Sequence, residues 1–193
     1  MDLFYRLKEE TKIQHQQVEK VLVAELKNMS NLSDYSDLLK RLYQFYNPIE
    51  KELQKIIPVS FLSDISERKH NSRLLNDIKN IDKSFLPSFK ENKLVIDNIS
   101  YALGVMYVIE GSTLGGQIIT QMILKKMPSE NLNYTSYFTS YGNNTHIMWA
   151  KFKDEVLKSK DKINEDHLIT GAKDTFTNLR EWLLESKPLE KTV

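Results

Sequence analysis

Apolar residues recur every three or four positions along almost the whole chain, the period of a helix with one buried face. Leu3, Leu7, Val18, Val21, Leu22 and Leu26 predict a first helix, with Asp2 as its N-cap. Tyr35, Leu38, Leu39, Leu42, Tyr46, Ile49, Leu53, Ile56 and Ile57 predict a second, from about residue 33. Pro48 lacks a backbone donor and should kink it, and Pro58 helps end it. Residues 60–95 are more polar and predict short helices near 69–80 and just after Pro87, a residue suited to a first helical position. A long apolar helix is predicted from about Asp97, a candidate N-cap, to Lys126, with Pro128 stopping it. Residues 134–144 read as loop or short helix, with Gly142-Asn143-Asn144 a turn signal. Thr145 can cap a helix through Lys158, and Asn164 a last one through Leu184. No polar–apolar alternation is long enough to predict a strand. The expectation is an all-α fold: one domain over residues 1–193, a globular bundle of about seven helices with faces too irregular for heptads.

Composition narrows the partners. Lys+Arg is 27 against Asp+Glu 26, a net charge of +1, which argues against a nucleic-acid binder. There are 0 cysteines, so disulfides, thiolate ligands and cysteine nucleophiles are excluded, and a reducing, cytoplasmic setting is expected. The N-terminus is charged early, unlike a signal peptide. The longest apolar stretch, 99–124, is interrupted by Ser100, Glu110, Gly111, Ser112 and Gln117, so no membrane anchor is expected.

Those interruptions carry the first chemical signal. Gly111, Gly115 and Gly116 fall inside the strongest helical pattern of the chain. Each interior glycine costs a helix roughly 0.5–1 kcal/mol relative to alanine. Gly111 and Gly115 are four apart and share a face, where backbone is open to close approach. Two readings remain open: tight helix–helix packing, or a flat ligand lying against a helix that can flex. Ser112, Thr113 and Gln117 could order water there. No His, Arg or Lys lies between Tyr101 and Leu124.

The histidines are His15, His70, His146 and His167. His15 has Glu19 one turn on, able to take a hydrogen bond from one ring nitrogen and leave the other for a metal. Lys8 lies two turns earlier on the same face, placed to pair with an anionic group. The competing reading is a surface His–Glu pair on an amphipathic helix. His70 follows Glu67 at Glu-x-x-His spacing, but a di-iron bundle needs a second such pair, and none is present. His70 is therefore expected on the solvated surface, and His146 and His167 as structural.

Tyr107-Val108-Ile109-Glu110-Gly111-Ser112-Thr113-Leu114-Gly115-Gly116-Gln117 resembles the distal-helix signature of the haem oxygenase family, in its soluble bacterial branch. Leu7-Lys8-Glu9-Glu10-Thr11-Lys12-Ile13-Gln14-His15 resembles the proximal-helix signature. Phe45-Tyr46-x-Pro48-Ile49-Glu50, Tyr141-Gly142-x-x-Thr145-x-x-Met148-Trp149 and Thr175-Phe176 before Glu181-Trp182-Leu183 extend the resemblance to the last helix. The resemblance implies His15 as proximal iron ligand and Glu19 as the carboxylate paired with it. It implies Lys8 near the propionates, Gly111 and Gly115 touching haem with Gly116 beside them, and Phe176 as an aromatic wall. Tyr107 and Lys153 are implied as further propionate partners. The eukaryotic members carry an aspartate after the first distal glycine; here that position is Ser112, as it can be in the bacterial branch.

The activity implied is oxidative opening of haem, at once substrate and cofactor, to biliverdin, carbon monoxide and ferrous iron. Gly111, Ser112 and Gly115 would form the catalytic face. A distal wall without basic side chains suits an oxygenase better than a peroxidase. Electrons for O2 chemistry must come from a ferredoxin or flavoprotein reductase, since no flavin or nicotinamide fingerprint is present. The rivals are a non-catalytic haem carrier or sensor of the same fold, another member of the wider helical superfamily, and a helical interaction module.

Overall fold

A computed structural model describes residues 2–88, 93–127 and 133–186. Among the described residues eight α-helices follow one another: α1 Leu3–Asn28, α2 Leu32–Ile56, α3 His70–Ile81, α4 Ile99–Ser112, α5 Gly116–Lys126, α6 Ser136–Thr139, α7 Thr145–Lys158 and α8 Glu165–Glu185. Short 3-10 turns lie between several of them, and no strand occurs among the described residues. The all-α expectation is met.

Caps explain most boundaries. Asp2 accepts from the Phe4 amide at 3.4 Å, and Asn164 from the His167 amide at 3.0 Å, as expected. Asn31 caps α2 and Asn98 caps α4, each one or two positions from the expected start, because each offers a side-chain oxygen to the N3 amide. Thr145 is the first residue of α7 rather than its cap; its hydroxyl donates back to the Gly142 carbonyl at 2.8 Å. Helix α2 continues through Pro48 to Ile56. Residues 85–88 after α3 are not helical, and the rest of the helix expected after Pro87 lies outside the described residues, as does Pro128.

Helix α8 is the spine, with α4 and α1 packed along it. The α4–α8 approach is made by glycine. A Cβ on Gly104 would lie 1.9 Å from the Leu168 carbonyl oxygen, and one on Gly171 2.3 Å from that of Tyr101. Helix α1 runs alongside α8, tied by Arg6 to Glu165 at 3.3 Å and to Asp166 at 2.6 Å, and by Lys173 to Glu10 at 2.9 Å. Arg41 of α2 ties the C-terminal ends of the pair together, meeting Glu25 at 3.1 Å and the Leu183 carbonyl at 3.1 Å. Helix α2 packs on α3, α6 bridges α3 and α5, and α7 lies on α4.

The expected long apolar helix is two helices, α4 and α5, joined by a 3-10 turn over Thr113–Gly115. By length and composition Ile99–Lys126 could cross a bilayer, but 56% of its apolar window is buried within the protein. Core burial accounts for much of its hydrophobicity.

Candidate functional site

The break in the α4–α5 helix is built from hydroxyls as well as glycines. Ser112 Oγ donates to the Ile109 carbonyl and Thr113 Oγ1 to the Glu110 carbonyl, each at 2.7 Å. These back-bonds favour the tightened turn. They also use the hydroxyl protons, so Ser112 meets any water as an acceptor. Thr113 is buried, whereas Ser112 and Gln117 are exposed.

The three glycines of the break divide. A Cβ on Gly116 would lie 1.9 Å from the Phe138 carbonyl oxygen, so this glycine serves the packing of α5 on α6. The expectation set Gly116 beside the haem-contacting glycines; here its missing side chain makes room for the Phe138 backbone. A Cβ on Gly115 meets nothing within 4 Å, and one on Gly111 only the Trp149 ring at 3.8 Å. Those two positions form an open cradle that neighbouring backbone does not fill.

Aromatic rings wall the Gly111 end. Tyr107, one turn before Gly111, lies 5.5 Å from Trp149 and 6.2 Å from Phe4 of α1, ring centre to ring centre. Burial raises the Tyr107 phenol above its usual range, and the Thr11 hydroxyl beside it works the other way. Lys153 holds its ammonium 5.8 Å from the centre of the Trp149 ring. Tyr107, Gly111 and Lys153 thus gather around Trp149, a residue quoted in a motif but given no role by sequence reading.

On α1, Lys8, His15 and Glu19 are exposed. The His15 ring faces Phe176 of α8 at 5.3 Å. No hydrogen bond joins His15 to Glu19 among the described residues; helical spacing permits the pair, but water competes for both exposed groups. The Phe4 and Thr11 contacts with Tyr107 bring α1 against α4, and His15 stands one turn beyond Thr11. An exposed imidazole beside an aromatic ring, together with an unfilled glycine face, suits a flat apolar ligand with a metal at its centre.

His70 is a correction. It is 4% exposed, and its Nε2 lies 2.8 Å from Glu110, itself 0% exposed. Arg68 donates to the other Glu110 oxygen, and the Tyr141 hydroxyl donates to Glu110 at 3.1 Å. Sequence reading placed His70 on the surface because its partner lies 40 positions away on another helix. A glutamate within the apolar run was the one available signal. His146 and His167 are exposed. No three His, Asp or Glu among the described residues converge to hold a bare metal ion.

The Heme oxygenase family model matches residues 1–78. No curated protein matches the chain. A solved structure of the NO- and CO-bound heme oxygenase from Neisseria meningitidis superposes with a TM-score of 0.80 at 18% identity, covering 100% of this chain and 96% of the other. The family model thus covers the first 78 residues, and the whole chain shares the fold of the Neisseria meningitidis protein.

Proposed function

We propose that the chain is a haem oxygenase that opens the haem macrocycle to biliverdin, carbon monoxide and ferrous iron. The observation that carries this reading is the division among the glycines. Gly104, Gly116 and Gly171 are filled by neighbouring backbone, while Gly111 and Gly115 are left open on the helix that the motifs assign to the ligand. A packing role accounts for the first three and leaves the last two without a reason.

His15 would ligate the iron, with Glu19 close enough to orient the ring when water is displaced. Lys8, Tyr107 and Lys153 would meet the propionates, and Phe176 would pack against the macrocycle. Haem supplies the oxygen-activating chemistry and is itself consumed, with O2 as co-substrate and electrons from a ferredoxin or flavoprotein reductase. Gly111 and Gly115 bring backbone close to the macrocycle and leave no room for a bulky distal group. Ser112, its proton committed to the Ile109 carbonyl, would accept a hydrogen bond from water and help hold a proton source there. The aromatic wall of Tyr107, Trp149 and Phe152 would exclude bulk water from the Gly111 end.

Haemin titrated into the purified protein should give a Soret band that His15→Ala reaches only at about a hundredfold higher haemin. Reductant in air should then convert that band to biliverdin absorbance. Stable ferrous haem with no biliverdin would identify a carrier instead, and failure to take up haemin would remove the haem reading.

A further inference from the structure

We propose that Glu110 is a positioning residue for the glycine break, its carboxylate fixing where α4 ends and so where Gly111 and Gly115 are presented. The proposal deepens the haem reading, on which the importance of that presentation rests. Glu110 is fully buried in the most apolar helix of the chain. Burying an ion costs several kcal/mol unless it is paired and hydrogen-bonded. Here the carboxylate is met by Arg68, by His70 Nε2 at 2.8 Å and by the Tyr141 hydroxyl at 3.1 Å. Arg68 and His70 lie where a 3-10 turn gives way to α3, and Tyr141 precedes α7, so two separate segments converge on this side chain of α4.

The hold continues into α7. Arg68 is gripped by Asp64 at 2.7 and 3.1 Å and donates to the Met148 carbonyl at 3.3 Å, while Lys151 reaches Asp64 at 2.9 Å. Trp149, between Met148 and Lys151 in the chain, is the residue that faces Gly111. Gly111 is therefore placed twice by the same network: through its bond to Glu110 and across space through Trp149. An apolar side chain at position 110 could fill the same volume, but it would impose no direction on three polar partners. Directed bonds are what a helix end needs when the next residues carry little packing of their own.

The test compares Glu110→Gln and Tyr141→Phe with the wild type. Amide hydrogen exchange is measured without haem, and the Fe–CO stretching frequency after haemin, dithionite and CO are added. In Glu110→Gln, exchange at residues 111–117 should rise about tenfold while α8 is unchanged, since a local opening is being released. The Fe–CO frequency should shift or split while the Soret band is retained. A folded Glu110→Gln with wild-type exchange at 111–117 and one unshifted Fe–CO band overturns the proposal. If Glu110→Gln does not fold, Tyr141→Phe decides: it deletes one donor, and exchange at 111–117 should rise about threefold, an unchanged rate being the overturning result. If the wild type takes up no haemin, the haem reading fails, and the exchange measurement still decides whether Glu110 positions the break.

Discussion

Helix α4 and the 3-10 turn after it use glycine in two ways. At Gly104 the missing side chain is occupied: the backbone of α8 sits where a Cβ would be, and Gly171 returns the same contact from the other side. At Gly111 and Gly115 the missing side chain opens onto a tryptophan edge and onto space. The first arrangement converts absent atoms into close helix packing. The second weakens the helix without backbone packed in return, and on that the proposed ligand face rests. One residue type thus serves the scaffold at Gly104 and, in the proposed reading, the ligand face at Gly111 and Gly115.

The sharpest way to break this comparison is to add a methyl group at each place. Gly104→Ala or Gly171→Ala drives a Cβ into a backbone carbonyl at 1.9 or 2.3 Å, and should cost about 3 kcal/mol or more of stability, read by urea unfolding. A mild loss would mean that α8 can shift away. His15→Ala, at an exposed position, should leave unfolding unchanged yet weaken haemin binding about a hundredfold, about 2.7 kcal/mol, read by Soret titration. Equal affinity in the two proteins would remove His15 as the ligand.

Gly115→Ala tests the open end. With nothing within 4 Å of the new methyl, the free protein should gain about 0.5–1 kcal/mol from helix propensity. Haemin binding should nevertheless weaken, by about tenfold if the methyl meets the ligand. Stabilisation without any loss of affinity would show that no ligand uses that face.

The smallest effect concerns the polar support behind the break. Burial raises the Glu50 carboxyl above its ordinary value of 4.5, against the opposing hydrogen bonds from the Asn71 and His70 amides. The folded protein therefore holds more protons than the unfolded chain in the window above 4.5, and stability falls as pH rises through it. Asp77, also raised by burial, acts in the same direction, whereas Asp64, held low by Arg68 and Lys151 against its burial, loses its contribution only as pH falls below 3.8. Glu50→Gln keeps an oxygen for both amides and does not titrate. Its stability–pH curve should be flatter just above 4.5 by less than about 1 kcal/mol, and an identical slope would show that Glu50 does not titrate with folding.

Local signals in the sequence determined the helices, because capping and periodicity act over a few residues. Asp2 and Asn164 cap where they were read, and the interruption at residues 111–116 marks a real change of helix geometry. The histidine motif and the glycine motif were each legible as a resemblance, since each is contiguous. Only the tertiary structure decided which glycines pack and which stay open, because helical spacing assigns a face but not what stands opposite it. It packed Gly116 against the Phe138 backbone, set Gly111 against the Trp149 ring and left Gly115 facing open space. It also took His70 from the expected surface into a buried cluster with Glu110, Arg68 and Tyr141. Glu110 and Tyr141 lie tens of residues from Arg68 and His70, and a charged side chain reads as solvated until the fold brings its counter-charge to it.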